Sequence, residues 1–213
     1  MFTAFKFYSY LLSLVIPVGI GIRYFRKFQP ALRTIWILMV VTLVSEFVAG
    51  LTGLVRGNNM IVYHLYTPIS FWLISLYFNY RLSFFRKYHL GYLIGTSGVV
   101  AEIVDTLCYH SFEEMDRYAI LHTALCGLIM MLLDCANCFL KDKRKMMTDP
   151  GLQISLLFGL FWCSSALILG GGVIFSPLQG VRWGSLEYLW TINIFLHLGI
   201  GYVFFSLTQS KLY

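Results

Sequence analysis

The run Ala31-Leu-Arg-Thr-Ile-Trp-Ile-Leu-Met-Val-Val-Thr-Leu-Val-Ser-Glu-Phe-Val-Ala-Gly-Leu-Thr-Gly-Leu-Val55 decides the class of this chain. A helix of about 20 apolar residues crosses a hydrocarbon core about 30 Å thick, and this run exceeds that length. One carboxylic acid, Glu46, sits well inside it. An acid at such depth costs roughly 2.5–3.5 kcal/mol on insertion scales, so it is expected to face protein or a water-filled cavity.

The rest of the sequence has the same character. Of 213 residues, 58% are hydrophobic and only 12% charged, with a mean hydropathy of +0.72; soluble domains carry about 25% charged residues. Seven segments are long enough to span: roughly 4–22, 31–55, 60–80, 89–109, 117–140, 152–175 and 184–208. An isolated strand in lipid would leave its backbone groups unpaired, and none of the segments alternates as a barrel strand does. The expected fold is therefore all-α: a polytopic integral membrane protein, one seven-helix transmembrane domain over 1–213. The first segment is followed by Arg23, Arg26 and Lys27 without a small-residue cleavage pattern, and so reads as a retained helix.

Charge sets the expected orientation. Twelve of the sixteen Lys and Arg fall on one set of loops, including Arg23, Arg26, Lys27, Arg81, Arg86, Lys87, Lys143, Arg144 and Lys145. The positive-inside rule then puts the N-terminus outside and the C-terminus in the cytoplasm of a cytoplasmic- or inner-type membrane. The acidic stretch Glu113-Glu114-Met115-Asp116 falls outside. The net charge of +6 is spent on orientation in short clusters, and nucleic acid is not an expected partner. A faint match between Leu65-Tyr66-Thr67 with Phe71 and Leu189-Trp190-Thr191 with Phe195 raises a parallel 3+1+3 repeat, a plan used by small transporters.

Counting about 1.5 Å of rise per residue puts Glu46, His64, Glu102, Asp105, His122 and Glu187 in one outer layer, drawn from five helices, with Asn193 and His197 deeper in the last. Glu102 and Asp105, three apart, share a helix face. These eight residues form the expected ligand-binding set. Each also has a bland alternative as a polar group wetted at the interface, above all His64, Asp105 and Glu187. A carboxylate beside a histidine in low dielectric can share a proton, bind a cation or hold a polar solute.

Three function classes follow. The first is a transporter of a polar or cationic small solute, possible proton coupling included. The second is a receptor or sensor subunit that signals through a partner protein. The third is an intramembrane hydrolase with zinc on His and carboxylate ligands; seven-helix membrane hydrolases pair histidines in the last helix, where this chain has only His197. The seven-helix layout resembles that of rhodopsins, but no helix interior carries a lysine for a retinal Schiff base. Neither a nucleotide-binding loop nor a nucleophile elbow is present, so an enzyme is the less expected outcome and no cofactor is expected. Cys135-Ala-Asn-Cys138 is a CxxC near the cytoplasmic end of its helix, where packing is the commoner role of cysteine.

Overall fold

The computed structural model describes residues 2–109, 111–112, 114–141, 148–170 and 183–209, with side chains from residue 7 onward except at 169–170 and 183–187. Among the described residues the chain is helical without strands: α1 Phe2–Tyr24, a 3-10 turn Phe25–Lys27, α2 Pro30–Arg56, α3 Met60–Arg81, a short α4 Ser83–Tyr88, α5 Leu90–Cys108, α6 Arg117–Lys141, α7 Pro150–Ser165 with a π-helical turn Ala166–Gly170, and α8 Trp183–Gln209. Seven of these are long and apolar enough to cross a membrane. The eighth, α4, has six residues and was not expected. Pro17 and Pro68 lie inside continuous helices. Of the triple glycine 170–172, residues 171 and 172 lie outside the described set, as does the end of the expected segment 152–175.

Helices of a membrane protein cannot use burial from water to choose their neighbours, so close backbone approach through small residues does much of the selecting. The chain packs as two compact units. In the unit formed by residues 30–126, α3 packs against both α2 and α5. Gly91, Gly95 and Gly98 of α5 are all buried and fall at helical spacing on the face that meets α3. A methyl group on Gly98 would overlap the Phe71 ring, one on Gly91 would lie 2.5 Å from the Ser75 carbonyl oxygen, and one on Gly95 would lie 3.2 Å from Trp72. The turn into α5 is made by His89, in the left-handed region at φ 54°, and Gly91 N–H donates to Asn79 Oδ1 at 3.3 Å. These contacts draw α5 tightly onto α3 and fix what lies further along both helices.

The second unit comprises residues 1–29 and 127–213. Here α8 packs on α1 and α7, with Gly201 against Ile16 and Gly199 against Leu157. Phe28 meets Phe204 at 4.7 Å between ring centroids. Asp149 caps α7, accepting from Leu152 N–H at 3.0 Å, with Pro150 at the first helical position, where the missing N–H costs nothing.

The glycine seam gives a direct test. Overpacking a close contact costs about 1–3 kcal/mol. Gly98→Ala is therefore expected to lower the melting temperature of the detergent-solubilised protein. Gly50→Ala, where the added methyl meets nothing within 4 Å, should leave it unchanged. Equal effects of the two substitutions would show that α5 does not seat on α3 as described.

Candidate functional site: a buried His-Glu-Asp cluster

His64 lies in the second turn of α3 and Glu102 two turns from the end of α5. The α3–α5 seam brings them together: Nδ1 of His64 is 2.6 Å from Oε1 of Glu102, and both side chains are buried. On its other edge His64 Nε2 donates to the backbone carbonyl of Glu114 at 2.9 Å. A carbonyl has no proton to give, so Nε2 carries the hydrogen, and Nδ1 is the nitrogen turned to the carboxylate. The hydroxyl of Thr106, one turn beyond Glu102, lies 3.3 Å from His64 Nδ1 and 3.4 Å from Glu102 Oε1. Phe112 sets its ring edge-on to the imidazole at 5.6 Å.

Asp116 completes the cluster. It immediately precedes α6 and is 2% exposed. One ligand atom from each of His64, Glu102 and Asp116 can be chosen so that all lie within 4.8 Å of one another. The Asp116 carboxyl lies beside Glu102 and Thr67. Burial first, and the neighbouring Glu102 second, push it up from the ordinary carboxylate range to about 8, against the opposing pull of Thr67 and His64. Glu102 Oε2 and Asp116 Oδ2 are buried and meet no donor among the described residues. Two carboxylates are both acceptors, so only a shared proton or a cation can make their contact favourable. Asp116 was not among the residues expected from sequence, where it reads as part of an exterior acidic loop. The available signal is its position: it adjoins Arg117, the first residue of a spanning helix, across a short connection from the end of α5.

The other expected residues lie elsewhere. Asp105 is buried and accepts from Ala119 N–H in the first turn of α6 at 2.9 Å, satisfying one of the four donors that a helix start leaves unpaired. It thereby helps to hold α6, and Asp116 before it, against α5. Glu46 is half-buried and accepts from the Tyr63 hydroxyl at 3.3 Å. His122, also half-buried, contacts Ser97 Oγ at 3.2 Å and Cys126 Sγ at 3.7 Å. Asn193 and His197 belong to the other unit, where His197 meets Ser13 Oγ at 3.2 Å and packs on the Tyr10 ring. The side chain of Glu187 lies outside the described residues.

Asp134, fully buried in α6, accepts from Ser155 Oγ of α7 at 2.6 Å. Cys135 and Cys138 are free thiols, with Cys138 Sγ directed at Asp134 at 3.8 Å and Cys135 against Met131 Sδ at 3.6 Å. A groove between α7 and α8 is lined by Leu157, Leu160, Ser164, Ile192, Phe195 and Leu196, which offers apolar surface and one hydroxyl.

No protein-family model, curated protein or solved structure matches this chain. The geometry of the site therefore carries the functional argument alone.

Asp116 makes the ion-free protein pH-sensitive in a definite direction. Its folded value of about 8 lies above the 3.8 of an ordinary aspartate, so the folded state holds a proton that the unfolded chain releases. The stabilisation is full below the unfolded value and is lost as pH rises through the folded one. The melting temperature in chelator-treated buffer is expected to fall between about pH 4 and 8, and Asp116→Asn should flatten that decline. An equally steep decline in the variant would place the sensitivity elsewhere.

Proposed function

We propose that this multi-pass membrane protein binds a cation at His64, Glu102 and Asp116 and acts as a small cation carrier. The observation that carries the reading is the pair of buried carboxylate oxygens, Glu102 Oε2 and Asp116 Oδ2, that meet no donor among the described residues. Intramembrane acids are costly and mark ion or substrate pathways, and a cluster of three buried titratable groups has few structural uses. Glu46, on the neighbouring α2, would add negative potential without forming part of the cluster.

The sensor reading has one supporting feature. His64 near the start of α3, Glu102 and Thr106 near the end of α5, and Asp116 before α6 all sit at one end of their spans, which the charge count assigns to the exterior. Carrier sites usually lie nearer the midplane.

Flux decides. Protein reconstituted in liposomes is expected to accelerate the uptake of a cation over protein-free liposomes, and Glu102→Gln or Asp116→Asn should lower that uptake at least tenfold while the variants still fold. Uptake unchanged in both variants would refute the carrier reading. Cation binding without any flux would favour the sensor.

A further inference from the structure

We infer that the cation taken by this site is a first-row divalent transition ion, held by His64 Nδ1 and by one oxygen each of Glu102 and Asp116, with water completing its coordination. This rests on the reading of the cluster as a cation site and goes beyond it in naming the chemistry. Four observations lead there.

The donor set is one imidazole nitrogen and two carboxylates, contributed by α3, α5 and the residue that enters α6. Imidazole suits zinc, iron, copper and nickel, whereas magnesium and calcium take oxygen shells. A divalent charge also matches two buried carboxylates, while a monovalent ion would leave one uncompensated in a low dielectric.

The histidine is already oriented as a metal ligand. Ligating histidines give their second ring N–H to a carboxylate or backbone carbonyl, which fixes the tautomer. His64 gives Nε2–H to the Glu114 carbonyl at 2.9 Å and presents Nδ1 to the acids. The Glu114 peptide belongs to the same connection that places Asp116, so one segment sets both the ring and the third ligand.

The spacing suits a small ion. Ligands about 2.1 Å from a tetrahedral ion stand about 3.4 Å apart, and the three ligand atoms here lie within 4.8 Å of one another. Small adjustments of three side chains bring them to that spacing. The 2.6 Å contact of Nδ1 with Oε1 holds a proton in the ion-free state; the ion replaces that proton, and the two atoms part by about 0.8 Å to reach ligand spacing. Thr106 Oγ1 is within 3.4 Å of both and can follow as an outer partner.

Finally, the unsatisfied oxygens single out this cluster. Asp134 receives a hydrogen bond from Ser155, Asp105 from a backbone N–H and Glu46 from Tyr63. Glu102 Oε2 and Asp116 Oδ2 are the carboxylate oxygens that remain buried without a donor among the described residues.

The test uses the full chain in detergent or nanodiscs, stripped with a chelator and titrated with Co2+ as a spectroscopic probe and with Zn2+ in competition. One ion per chain is expected, with visible ligand-field bands of a four- or five-coordinate N/O site that Zn2+ bleaches. Loss of an outer partner alone weakens metal sites about 10–100-fold, so Asp116→Asn and Glu102→Gln should each weaken binding at least about 100-fold. Both variants keep side-chain size, and their metal-free melting curves report whether they fold. Failure of the folded wild-type chain to bind either ion would overturn the inference. So would binding that survives in the double variant, which would trace it to surface His or Cys groups. Stoichiometric metal binding without liposomal flux upholds the metal site and removes the carrier. Flux of an alkali or organic cation with no transition ion bound does the reverse.

Discussion

The contact between His64 and Glu102 at 2.6 Å depends on how closely α3 and α5 approach, and most of what distinguishes this chain follows from that approach. A histidine and an acid in separate membrane helices ordinarily stand too far apart to touch. Gly91, Gly95 and Gly98 remove the side chains that would keep the backbones apart, and Phe71 and Trp72 of α3 fill the space they leave. Two residues at the far end of the same seam are then pressed into a contact that needs a proton or an ion between them. Packing at one end of the helix pair sets chemistry at the other.

Polar groups placed in an apolar medium either find partners within the chain or remain as a demand for something outside it. Most in this chain find partners. Thr34, Thr42, Thr52 and Thr96 bond carbonyls in the preceding turn of their own helices. Asp105 ties α5 to the start of α6, and Asp134 ties α6 to α7 through Ser155. The His64 cluster is different in kind. Its histidine is satisfied on one side by a backbone carbonyl, its acids adjoin each other, and two of their oxygens have no donor among the described residues. A protein that needed only stability could replace such a group with apolar residues of similar volume at no loss. That contrast is what motivates the proposed cation site.

Much of the fold was legible in the residues. Hydrophobic length alone located the seven helices long and apolar enough to span, with ends within about two residues of their expected places except for the segment expected at 152–175, whose α-helix ends at Ser165 and continues as a π-turn to Gly170. Transfer from water to lipid outweighs every other contribution in such a chain and leaves long unbroken apolar runs. The short α4 was not legible, since six residues between spans leave no hydrophobic signature. The depth count put His64 and Glu102 in one layer, and they meet. It could not separate them from Asp105, His122 or Glu46, which share that layer but turn to other partners. Depth is a one-dimensional coordinate, and which helices are neighbours depends on small-residue faces that look alike in sequence. Asp116 is hidden for the opposite reason. Loop acids are taken as solvated, yet this one is buried by the return of the chain into α6.

His64, Glu102 and Asp116 are described as one coupled unit, and a double-mutant cycle checks this by comparing the unfolding free energies of His64→Gln, Asp116→Asn and the double variant in a single detergent. Groups within one network show coupling of about 0.5–3 kcal/mol. The double variant is expected to depart from the sum of the single effects by at least that lower figure. Strict additivity would mean that the two side chains do not share a site, and the cluster would not exist in the folded protein.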